Sequence, residues 1–131
     1  MPIFRPGVAA VHGTPVILDA DATVDKAAGL LAEASQDGVE LAVFPEAFVS
    51  IYPSGAWGHQ AARFDGFNET WERLWASSVE VPGPRSSWLR AGSSISTASS
   101  ASTNREVERP GTLYNSVVLL GPEGCCGNTG S

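Results

Sequence analysis

The chain reads as α/β, and three observations say so: a short apolar run at Gly7–Val11, a helical stretch starting at Asp21, and a second short apolar run at Leu41–Phe44. Strand, helix and strand in that order within one short stretch have the form of a right-handed parallel crossover. Gly7-Val8-Ala9-Ala10-Val11 is closed by His12-Gly13-Thr14-Pro15, a buried strand followed by a turn. From Asp21, the residues Val24, Ala27 or Ala28, Leu31 and Ala34 recur at helical spacing, while Asp25, Lys26, Glu33 and Gln36 fall mostly elsewhere. Asp21 or Thr23 is the expected N-cap, and Asp37-Gly38 supplies the stop. Leu41-Ala42-Val43-Phe44 is ended by Pro45, and Glu46 stands two residues beyond that run.

Further on, Trp57, Trp71 and Trp75 with Phe64 and Phe67 make an aromatic-rich stretch whose first reading is packing, since aromatic side chains mainly bury area. Arg63 and Arg73 are expected on solvated faces. The apolar run Val117–Leu120 leads into Gly121-Pro122-Glu123-Gly124, a strong turn signal consistent with an antiparallel strand pair.

Composition narrows the class. The chain has 131 residues, 43% of them hydrophobic and 17% charged, which is one small domain or a piece of a larger one and too apolar for disorder. A net charge of −6 and the absence of any Lys/Arg run argue against a nucleic-acid or acidic-membrane surface. No apolar run approaches the roughly 18 residues that span a bilayer, and no charged start leads into an apolar segment, so a cytoplasmic protein is expected. The two cysteines, Cys125 and Cys126, are adjacent, and the two histidines, His12 and His59, lie far apart. Neither a disulfide framework nor a metal site is expected, and no cofactor is implied.

In open α/β sheets, ligands bind beyond the carboxyl ends of the strands. A carboxylate such as Glu46 at that place is either a solvated loop or capping residue, or a general base in a shielded crevice whose proton affinity is raised by desolvation. Position alone leaves both open.

The segment Gly38-Val39-Glu40-Leu41-Ala42-Val43-Phe44-Pro45-Glu46-Ala47-Phe48-Val49-Ser50-Ile51-Tyr52-Pro53 resembles the glutamate signature of the nitrilase (carbon–nitrogen hydrolase) superfamily. Val8–Val11, Asp21–Ala27, Trp75–Pro84, Gly111–Ser116 and Gly121–Gly124 agree in order and spacing, more with true nitrilases than with the amidase branches. Ile51, Ala42 and His12 depart from the family's usual Gly, larger aliphatic and Gln. The likeness covers 1–84 and 105–124. It implies the beginning of a four-layer α-β-β-α sandwich, truncated, within a partial carbon–nitrogen hydrolase domain over 1–131. It also implies hydrolysis of a nitrile to a carboxylic acid and ammonia, an amidase acting on a carboxamide being the alternative.

The family uses a Glu-Lys-Cys triad, because a thiolate is a strong nucleophile near neutral pH and needs a base within reach. Of that set only Glu46 carries over. Lys26, the one lysine, lies on the first helix, and Cys125 and Cys126 lack the family's cysteine context. A catalytically inert fragment is therefore the further alternative. The resemblance implies a small nitrile or amide as substrate, Tyr52 and Trp57 near the pocket with packing as the other reading of each, and homo-oligomers for an intact member.

Residues 85–104 break the likeness: serines crowd a region where the family carries a helix and a buried strand. Reading Ser96–Asn104 one base earlier, with the serines as TCN codons, permits a sequence such as Leu-Tyr-Cys-Val-Ile-Gly-Val-Asn-Glu. Reading 125–131 the same way requires a Leu and permits the family's His-Arg-Lys motif. Two frameshifts, one compensated over 85–104 and one after Gly124, are the expectation. Buried polar residues without partners cost about 1–3 kcal/mol each, so the serine-rich segment is expected to leave the sheet as loop and expose a strand edge.

Overall fold

In a computed structural model, the chain is described at residues 6–49, 67–80, 97–105, 108–109, 112–121 and 124–130. In order along the chain come β1 (Val8–Ala10), α1 (Ala20–Gln36), β2 (Leu41–Val43), α2 (Phe67–Ser77), β3 (Thr97–Arg105), β4 (Leu113–Gly121) and β5 (Gly124–Gly130). The strands form one sheet in sequence order, with β1, β2 and β3 parallel and β4 and β5 added antiparallel.

The parallel crossover is present as expected, with small shifts at its ends. The N-cap of α1 is Asp19, not Asp21 or Thr23: its carboxylate accepts from Ala22 N–H at 2.9 Å. Thr23 has a different task. Fully buried, its hydroxyl accepts from Val16 N–H at 3.0 Å and lies 2.7 Å from Asp19 O, tying the incoming loop to the first turn. Asp37 and Gly38 end the helix as expected, with N–H groups returned to Ala34 and Ser35 carbonyls and Gly38 at φ +74°. A β-carbon at Gly7 would lie 2.7 Å from Gly38 O, so a residue without a side chain is needed where β1 enters beside that turn.

Register sorts the sheet into two faces. Ala9, Ala42, Val118 and Leu120 share one face, and three of them, Ala42, Val118 and Leu120, join Ala20, Ala27 and Leu31 of α1 in the core. Val8, Val43, Val117 and Leu119 share the other and are 58%, 39%, 43% and 43% exposed. β1 is thus half-open rather than buried as its composition predicts.

α2 buries Leu74, while Trp71 and Trp75 are half-buried and Arg73 is exposed, as the packing reading of this stretch has it. Its last turn is closed by Ser77 and Ser78 hydroxyls donating to Leu74 O at 3.0 Å and Trp75 O at 2.6 Å. Trp57, Phe64, Arg63 and His59 lie outside the described residues.

The serine-rich stretch differs most from expectation. Over Thr97–Arg105 it is not expelled as loop but runs as β3 between β2 and β4. A ladder is made by backbone groups, which do not depend on side-chain polarity. Without β3, β2 and β4 would each present a row of unpaired N–H and C=O groups. The expected antiparallel pair is present, β5 lying along β4.

Candidate active site at the end of the parallel strands

Glu46 sits in the turn that follows β2. Two aromatic residues hold that turn from beneath: Phe44 and Phe48 are 4% and 1% exposed, with ring centroids 4.9 Å apart and planes inclined at 56°. Val49 is buried beside them. Ala47 takes φ +54°, a left-handed conformation in which an alanine costs about 1–2 kcal/mol. With both flanks pinned into the core, the backbone reverses at Ala47 and leaves Glu46 on the outside.

The carboxylate is exposed but not unattached. Asn115 Nδ2 donates to Glu46 Oε1 at 2.7 Å, joining residues 69 apart in sequence. Register explains how they meet. β2 ends at Val43, paired with Ser99 of β3, while β3 continues to Arg105 and Thr103 pairs with Asn115 of β4. Glu46, three residues past Val43, therefore lies at the level of the part of β3 that β2 no longer flanks, and reaches over it to β4. Asn115 is half-buried; its Oδ1 and the neighbouring Ser116 Oγ are buried and find no partner among the described residues. A buried acceptor left without a donor costs about 1–3 kcal/mol.

Two readings were open for Glu46, and the geometry departs from both in part. Among the described residues its carboxylate caps no helix and bonds a strand residue instead. Neither is it shielded: nothing among the described residues closes it from water. Tyr52 and Trp57 lie outside the described residues. Lys26 Nζ donates to Thr14 O at 2.7 Å in the loop before α1, so the one lysine is occupied away from the Glu46–Asn115 pair. Cys125 lies on β5, at the register position opposite Leu120 of β4. A cleft of about 240 Å³ lies between Leu18–Asp21 and Arg73, Ala76 and Ser77, and does not include Glu46. Among the described residues no three His, Cys, Asp or Glu side chains gather as a metal site would require, and no helix is long and apolar enough to cross a membrane.

Sequence reasoning quoted Asn115 within a family-like segment but gave it no task. The available signal was chemical: Asn is depleted in strands, and here it stands third in a strand, ahead of the apolar run Val117–Leu120.

Comparison with known proteins adds the lineage. The carbon-nitrogen hydrolase family profile matches residues 7–128. A nitrilase from Bacillus sp. (strain OxB-1) is 34% identical over 124 residues, which is 89% of this chain and 33% of the relative. An aliphatic nitrilase from Sinorhizobium fredii (strain HH103) is 35% identical over 127 residues, 95% of this chain and 40% of the relative. The chain thus spans between a third and two fifths of the length of these relatives. Among solved structures, a glutamine-dependent NAD+ synthetase from Acinetobacter baumannii superposes with a TM-score of 0.60 at 19% identity, covering 95% of this chain and 20% of that one. A carbon-nitrogen hydrolase from Helicobacter pylori G27 does so with a TM-score of 0.51 at 13% identity, covering 96% and 39%. These structures share the fold. An acid set past parallel strands, the matching profile and the nitrilase relatives agree, and the chain belongs to the carbon–nitrogen hydrolase family.

Proposed function

We propose that this chain carries the carboxylate part of a nitrile-hydrolysing site, with Glu46 as general base, and that the chain by itself does not turn over. The observation that carries the reading is the position of Glu46: past the carboxyl end of β2 and tied across the sheet to Asn115, in a chain that resembles nitrilases over most of its length. The reaction adds two waters to a nitrile and yields a carboxylic acid and ammonia. A thiol attacks the nitrile carbon, its proton goes to the carboxylate, and the carboxylate returns it to the nitrogen. Water then enters with the carboxylate again as base. A residue that moves protons in this way typically contributes 10²–10⁴-fold.

The thiol and the lysine are what this polypeptide lacks in usable form, since Lys26 is committed to Thr14. The codon reading of 85–104 and 125–131 supports a frameshifted gene as the reason. The substrate is a small organic nitrile and the intact protein a homo-oligomer; a carboxamide as substrate is an outcome that the assay distinguishes.

The experiment measures ammonia release from a nitrile and from the matching amide. The chain as it stands releases none. The protein translated in a single frame releases ammonia from the nitrile and loses that activity in Glu46→Gln. Equal turnover with and without Glu46 overturns the assignment, and turnover of the amide alone replaces nitrile by carboxamide. Sequencing the coding DNA tests the frameshift: serine codons in 96–102 that are mostly AGY would sink it.

A further inference from the structure

We propose that Asn115 is a positioning residue for Glu46, anchoring one carboxylate oxygen so that the other is the one that exchanges protons. The proposal rests on the reading of Glu46 as base and adds a second strand to the site. Its ground is the asymmetry of the contact. Asn115 offers two amide ends, a donor and an acceptor, and a carboxylate oxygen only accepts. The donor end must face Glu46, as it does at 2.7 Å, and the acceptor end then turns inward, where Oδ1 is buried without a partner among the described residues. The amide forgoes satisfying its carbonyl in order to hold the acid.

The contact engages Oε1, and no bond to Oε2 is present among the described residues. A carboxylate held by one oxygen has one fixed and one available lone-pair set. Glu46 is otherwise exposed on a turn, where its side chain would sample several rotamers. The backbone beneath is already fixed by Phe44, Phe48 and Val49 in the core. The side-chain torsions are the remaining freedom, and Asn115 is what restricts them. Because Asn115 belongs to β4, three strands set the geometry: β2 delivers the acid, β3 spaces it, and β4 holds it.

Nuclear magnetic resonance of the 131-residue chain tests this without activity. Side-chain three-bond couplings of Glu46 are expected to report one dominant rotamer, and the Asn115 side-chain amide resonances to move in an acid titration with a step that disappears in Glu46→Gln. In Asn115→Asp, which keeps the shape but removes the donor, the Glu46 couplings are expected to fall to rotamer-averaged values, with the far-ultraviolet circular dichroism unchanged. Asn115→Ala gives the same loss of order. Unchanged Glu46 couplings in both variants overturn the proposal, as does an Asn115 amide indifferent to Glu46 protonation in the unsubstituted chain. Either failure leaves the ammonia assay of Glu46→Gln untouched, so this proposal and the assignment of the base fail separately.

Discussion

Ala47 bears the conformational cost of the turn that presents Glu46. Its left-handed backbone costs about 1–2 kcal/mol, but its methyl group is 7% exposed and contributes on the order of 0.8 kcal/mol by burial. Ala47→Gly relieves the first, forfeits the second and adds about 0.4–1 kcal/mol of unfolded-chain freedom, so the terms nearly cancel and urea unfolding should place it within about 1 kcal/mol of the unsubstituted chain. Ala47→Val puts a β-branched residue at a positive φ in a packed place, and a loss of about 2–3 kcal/mol is expected from overpacking and backbone strain together. Glu46 itself was legible as a candidate because it followed an apolar run closed by proline. Its partner was not, since a contact between residues 46 and 115 depends on β3 intervening at a particular register.

At the scale of elements, α1 shows what local signals do and do not specify. Its period and its Asp37-Gly38 stop are written in adjacent residues. Its start is ambiguous, because Asp19, Asp21 and Thr23 are all capping types within five positions. The tertiary task of Thr23, bonding Val16 in the loop, removes it as a cap and leaves Asp19 to serve. Asp19→Ala should cost about 1 kcal/mol in thermal or urea unfolding, because Ala22 N–H loses its side-chain acceptor. β3 is the opposite case. Ser and Thr conceal a strand from hydropathy, and its existence follows from two neighbours that each need a partner, which only the assembled sheet reveals.

For the whole molecule, the uneven covering of the sheet matters most. α1 closes one face; on the other, Val8, Val43, Val117 and Leu119 remain in water. Hydrophobic surface of this kind raises the free energy of the isolated chain in solution. Leu119→Lys, at a position already 43% exposed, is expected to change unfolding stability by less than about 1 kcal/mol while lowering binding of an apolar dye and raising the concentration at which the chain precipitates. A dye signal unaffected by that substitution would show that the open face is not the sticky one.

The unequal lengths of β2 and β3 have one more consequence. Because the shorter strand stops at Val43 while its neighbour proceeds to Arg105, the sheet carries a step, and the acid occupies the berth that a longer strand would have filled. The dimensions of that berth are counted in residues. One amino acid inserted between Val43 and Glu46 would shift the acid's reach by a strand increment of about 3.3 Å, enough to part it from Asn115, although every residue of the signature would still be present.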